Sequence, residues 1–166
     1  MLYHPDLVSL SPILDFEASS LSDTSYPISA GLVIGGYVHY WIIKPKPEWI
    51  DWSLQSQAIH GLKRSFLEDY GVQADQVYKQ MASKLLGHQV VYSHAPEWES
   101  LWLGRLGSFS LRVDDIREMI GEGARHDFSA ELTKIFAAYK LTHHRADHDA
   151  LAIALAVKSL RMKYEY

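Results

Sequence analysis

The stretch Ile13-Leu14-Asp15-Phe16-Glu17-Ala18-Ser19-Ser20-Leu21, "ILDFEASSL", sets two carboxylates into an apolar run. Ile13, Leu14 and Phe16 read as a buried strand. Burying an uncompensated charge costs on the order of several kcal/mol or shifts its pKa. Alternate side chains of a strand share a face at ~3.3 Å rise per residue, so Asp15 and Glu17 point the same way with Cα atoms about 7 Å apart. Their oxygens can converge on one cation, and an oxygen-only ligand set suits Mg²⁺ or Mn²⁺. A D-x-E taken alone is more often a strand end where two acids meet solvent.

The C-terminal third supplies a third acid. "DHDALAIALAVKSL" (147–160) is apolar nearly all round, the pattern of a deeply buried helix. At about 100° per residue, Asp149 falls on the stripe of Ile153, Ala156 and Leu160. The helix dipole accounts for an acid in the first turn, such as Asp147; it accounts less well for one on the core side. Just ahead, "THHRADHD" (142–149) places His144 five residues before Asp149. An imidazole with a pKa near ~6.5 there suits a general base acting on a water. His144 and His148, spaced i to i+4, also permit a zinc reading, but no third nitrogen or sulfur ligand is evident. His143 and His148 read as surface residues.

The 166 residues suit one domain, 1–166, with a sizeable core. A net charge of −4 supplies no global basic field for a polyanion. There is no cysteine, hence no disulfide framework and no thiolate chemistry, which fits a cytoplasmic protein. "MLYHPDLVSL" lacks a basic n-region and a long apolar core, so no signal peptide is expected, and no apolar run is long enough to span a bilayer. Strands are expected over 8–17, 28–34, 37–44 after a Gly35-Gly36 turn, 89–93 and within "SLRVDDI" (110–116). Helices are expected in patches over 53–69 with a turn at Gly61, then over 74–86, 96–106, 128–139 and 147–161. The order β-β-β-α-β-α-β-α-α is a mixed α/β layer fold.

Five stretches resemble one family, the DEDDh branch of the DnaQ-like 3′–5′ exonucleases. "LDFEASSL" resembles its first motif, and "YPISAGLV" (26–33) the continuation into the second strand. "IHGL" (59–62) is similar to its Ile-His-Gly segment, "VVYSHAPEWESLWL" (90–103) to its second motif, and "HRADHDALA" (144–152) to its third. The resemblance spans about residues 10–158. It implies a ribonuclease H-like fold, α/β with a mixed five-stranded sheet flanked by helices. It further implies a metal-dependent 3′–5′ exonuclease that releases nucleoside 5′-monophosphates from the 3′ end of single-stranded RNA or DNA. Two divalent cations, Mg²⁺ or Mn²⁺, would be held by Asp15, Glu17, Glu99 and Asp149, with His144 as general base. The second motif normally supplies Asp; here Glu99 takes that place, with Glu97 as competitor. Ala18, Ser19, Leu21 and His60 would contact substrate, Leu21 as a wedge against the terminal base or else as core. Lys63, Arg64, Arg105 and Arg145 are candidate phosphate contacts. The oligomeric state is open.

Overall fold

A computed structural model describes residues 2–164. Its centre is an antiparallel meander of β2 (Ile13–Ala18), β3 (Pro27–Ile34) and β4 (Tyr37–Lys44). Gly35 and Gly36 both take positive φ in the tight turn between β3 and β4, the conformation a two-residue hairpin demands. β6 (Val90–Ser93) and β7 (Arg112–Asp115) add in parallel beyond β2. The five expected strands are therefore all present, in the order β4-β3-β2-β6-β7. Two-residue strands extend the sheet to seven: β1 (Leu2–Tyr3) and β5 (Val72–Gln73) both pair with β4. They are too short to carry a hydrophobic period, so pattern alone misses them. The first strand is also shorter than the expected 8–17. Pro5–Leu7 forms a 3₁₀ turn that sends Leu7 into the core, and pairing starts at Ile13.

The helices are α1 (Leu54–His60), α2 (Arg64–Tyr70), α3 (Ala74–Lys84), α4 (Pro96–Leu106), α5 (Phe128–Tyr139) and α6 (Ala146–Tyr164). Gly61 ends α1 in the left-handed region at φ 74°. Pro96 opens α4, where its missing N–H costs nothing. Two further 3₁₀ turns, Ile116–Met119 and Glu122–Asp127, lie between β7 and α5.

Strand alternation divides the core between the two faces of the sheet. Leu14, Phe16 and Ala18 of β2, with Ile28, Ala30 and Leu32 of β3, pack with Val77, Met81, Trp102 and Leu103 of α3 and α4. Ile13 and Val33 pack on the opposite face with Ile153, Ala154 and Val157 of α6. The same alternation puts Asp15 and Glu17 on the α6 face. Their cross-strand partners on β3 are Gly31 and Ser29, both small. Among the described residues no helix is long and apolar enough to cross a membrane.

Candidate metal centre and the cavity beside it

One carboxylate oxygen each from Asp15, Glu17 and Asp149 lies within 4.8 Å of the others. The approach of α6 to the sheet makes this possible. A Cβ on Gly31 would stand 2.0 Å from the Ala146 carbonyl oxygen, so only glycine lets the first turn of α6 settle beside Asp15. Asp149 also reaches back along its own helix: its Oδ2 accepts the Arg145 N–H at 2.9 Å. It caps the helix and joins the cluster at once. Where β2 passes from Glu17 to Ala18 the register with β3 shifts, and this irregularity turns the chain out of the sheet beside the acids.

The electrostatics are those of an acid cluster short of positive charge. Burial, then the charges of Glu99, Asp149 and Glu17, push the Asp15 carboxyl well above the usual range. Burial, with Asp149 next to it, raises Glu17 to about 8. Burial raises Asp149 to about 6 against the opposing pull of His144. Oxygen donors convergent on one point, with charges costly to bury alone, form a set that a hard divalent cation fits.

Of the two candidate acids in α4, Glu99 is the one that turns inward. It is 2 % exposed, whereas Glu97 faces solvent. Glu99 comes from the first turn of α4, and its Oε1 accepts the Phe16 N–H at 3.2 Å. That donor is free because β6 pairs with β2 only at Ile13. Burial drives the Glu99 carboxyl well upward, against the Phe16 hydrogen bond that lowers it. Its Oε2 is buried with no hydrogen-bond partner among the described residues. Glu99 lies outside the three-oxygen cluster.

His144 stands on the loop before α6 at φ 57°, a left-handed conformation uncommon for a side chain of this size. Three anchors hold that loop. The His143 ring stacks on Phe136 at 3.7 Å between centroids, the Thr142 N–H donates to His148 Nδ1 at 2.9 Å, and the Arg145 N–H donates to Asp149. His148 is thereby committed to the loop backbone, and no histidine joins the acid cluster among the described residues.

A cavity of about 200 Å³ opens beside Glu17 and His144. The loop after β2 supplies one wall through Ala18, Ser20 and Leu21, and α1 the other through Ser56, Ile59 and His60; Phe16 and Trp102 complete it. Leu21 is 70 % exposed, so it is a lip residue and not core. Ser19 departs from the expected contact set. It is fully buried, its hydroxyl donates to Asp51 at 2.8 Å and accepts the Tyr26 N–H, and it does not line the cavity. Its neighbour Ser20 takes the position on the wall. The Leu62 N–H donates to His60 Nδ1 at 3.1 Å, which leaves Nε2 as the protonated nitrogen, buried and unpartnered. Burial, assisted by His144, lowers His60 to about 4, so it is a neutral donor at pH 7.

Three of the four candidate phosphate contacts are committed elsewhere. Arg64 donates to Tyr26 Oη, the Trp49 carbonyl and Glu68. Arg105 donates to the Asp23 carbonyl at 2.5 Å, and Arg145 pairs with Asp147 at 2.8 Å over the Tyr40 ring. Lys63 is exposed. Gly31, Trp102, Ser56 and Ile59 are site residues that sequence reasoning passed over. A glycine inside the β-run "ISAGLVI" was the available signal for the first; for Trp102 there was none beyond its place in the second motif.

No known protein-family profile matches the chain, and no curated protein sequence does. Solved structures do. Exonuclease I from Methylocaldum szegediense aligns over 94 % of this chain with a TM-score of 0.70 at 12 % identity. E. coli exonuclease I in complex with a dA16 oligonucleotide aligns over 93 % with a TM-score of 0.66 at 13 % identity. The zinc-ion-bound E. coli exonuclease I–ssDNA complex aligns over 95 % with a TM-score of 0.61 at 13 % identity. The chain spans 41–42 % of the length of these proteins. The likeness is one of fold: a mixed α/β sheet flanked by helices, as in these ribonuclease H-like exonucleases.

Proposed function

We propose that the protein is a metal-dependent 3′–5′ exonuclease of the DEDDh type, acting on single-stranded RNA or DNA. The observation that carries the reading is the convergence of Asp15, Glu17 and Asp149 within 4.8 Å, beside a cavity walled by Ala18, Ser20, Leu21 and His60. The exonuclease I fold supports it, since those proteins include complexes with single-stranded DNA.

Asp15 would be shared by two divalent ions, Mg²⁺ or Mn²⁺, with Glu17 and Asp149 completing one and Glu99 supporting the other. Bound there, such ions stabilise charge on both the attacking and the leaving oxygen of an in-line displacement. His144 takes a proton from the attacking water. The new bond joins that oxygen to phosphorus; the bond to the upstream 3′ oxygen breaks, and that oxygen leaves as an alkoxide that takes a proton from solvent. Ala18 and Leu21 pack on the terminal nucleoside, Trp102 forms the apolar back of its cavity, and His60 lines its far wall. Ser19 shapes the loop and makes no contact. With most nearby arginines engaged internally and a net charge of −4, divalent cations held by these acids would supply the neutralisation of phosphate.

The test is a digestion of 5′-labelled single-stranded RNA and DNA with Mg²⁺ or Mn²⁺, beside Asp15→Ala. A ladder shortening from the 3′ end, absent in the variant, is expected. Intact oligomers with either metal would leave a nucleic-acid-binding module that keeps the fold. Hydrolysis of small nucleotide esters alone would point to a phosphodiesterase working from the same cavity.

A further inference from the structure

Outside the acid cluster, one side chain gathers an unusual number of donors. Asp51 precedes α1 and accepts from three hydroxyls of the β2–β3 loop. Ser19 Oγ donates to its Oδ2 at 2.8 Å, Ser20 Oγ to the same oxygen at 2.6 Å, and Ser22 Oγ to Oδ1 at 3.1 Å. Each hydroxyl then turns its lone pairs inward. Ser19 Oγ accepts the Tyr26 N–H, Ser20 Oγ the Ser22 N–H, and Ser22 Oγ the Thr24 N–H. The Ser53 N–H bonds the Ser19 carbonyl at 3.0 Å, and Ser53 Oγ caps α1 by accepting the Ser56 N–H. The loop bearing Ala18, Ser20 and Leu21 is thus tied to the helix bearing Ser56, Ile59 and His60, the two facing walls of the cavity.

We propose that Asp51 is a positioning residue for substrate: its carboxylate clamps the β2–β3 loop to the start of α1 and sets the width of the terminal-nucleotide cavity. The inference rests on the exonuclease reading for what fills that cavity. An ionised carboxylate is the one side chain of this shape that only accepts hydrogen bonds, so it forces all three hydroxyls to act as donors. Asparagine has the same outline but presents an NH₂ to one of them. That hydroxyl must turn its proton elsewhere, and its charge-assisted bond to the carboxylate is replaced by a weaker neutral one. Burial pushes the Asp51 carboxyl up, but the hydrogen bonds from Ser20, Ser19 and Ser22 outweigh it and hold it below the usual carboxylate range.

The experiment compares wild type, Asp51→Asn and Asp51→Glu. It reads steady-state kinetics on a labelled oligonucleotide, stabilisation by Mn²⁺, and hydrogen exchange of the amides over 19–26. Asp51→Asn should raise KM about tenfold, the usual scale for hydrogen bonds to a charged group. It should speed exchange over 19–26, and leave kcat and Mn²⁺ stabilisation within about twofold of wild type. Asp51→Glu, which restores an acceptor-only group, should recover part of the KM. Unchanged KM and exchange in Asp51→Asn would overturn the clamp; so would a parallel fall in kcat and Mn²⁺ stabilisation, the mark of general loosening. An inactive wild-type protein would remove the exonuclease reading instead, and the exchange comparison would still decide whether Asp51 holds the loop.

Discussion

Glu99 carries two duties that pull in opposite directions. Its Oε1 satisfies the Phe16 N–H, while its second oxygen is buried without a partner close to Asp15. Glu99→Gln keeps an acceptor for Phe16 and removes a charge from the cluster. The metal-free variant should therefore melt higher than wild type near pH ~8, by an amount on the scale of one relieved buried charge, roughly 1–3 kcal/mol. Its stabilisation by Mn²⁺ should shrink at the same time; thermal melts with and without the ion read both. In the proposed mechanism His144 has one duty. His144→Ala should retain Mn²⁺ stabilisation and lose ~10²- to 10⁴-fold in turnover, the range of a lost general base. Unchanged turnover in a single-nucleotide-release assay would take His144 out of that role. Asp15, Glu17 and Asp149 were legible in sequence because strand and helix periodicity dictate their faces. The choice of Glu99 over Glu97 was open there, since both lie in the first turn of α4 and only packing against β2 separates them. The commitment of Ser19 to Asp51 was hidden for a like reason: the two are 32 positions apart, and no local pattern joins them.

At the scale of elements, the site depends on how closely α6 rests on β3. Gly31→Ala places a methyl 2.0 Å from the Ala146 carbonyl oxygen, a clash with backbone that no rotamer relieves. It should cost upwards of about 1–3 kcal/mol and draw Asp149 away from Asp15, so Mn²⁺ stabilisation should fall with the melting temperature. Gly104 is the control. It lies inside α4 with open space where a Cβ would stand, so Gly104→Ala should stabilise by about 0.5–1 kcal/mol and leave activity unchanged. The long elements were readable because their periods repeat: α4 and α5 run over the expected residues, and α6 differs from its expected span by one residue at its start and three at its end. The 3₁₀ turns and the two-residue strands were not, since their existence is decided by partners distant in sequence, such as Val38 opposite Leu2 and Ile43 opposite Val72.

For the molecule as a whole, the carboxylates make stability depend on pH and on cations together. Glu17 and Asp149 keep their protons in the fold up to about 8 and about 6. In the unfolded chain they lose them near the ordinary value of ~4. Between those limits the native state binds more protons than the unfolded state, so metal-free stability falls as pH rises from ~4 through ~8. A divalent ion that binds only the fold opposes this fall. The gap in melting temperature between Mn²⁺ and chelator should widen from pH ~5.5 to pH ~8; a gap that stays constant or narrows would mean that these acids are not the ligands.

The central claim is that Asp15, Glu17 and Asp149 form a divalent-metal centre. Anomalous scattering from crystals soaked in Mn²⁺ tests it most directly. The account predicts a peak enclosed by the carboxylates of these three residues, with a second peak between Asp15 and Glu99, and both absent from Asp15→Asn crystals. Crystals that diffract well, contain Mn²⁺ in the soak and show no anomalous density at Asp15 would contradict it.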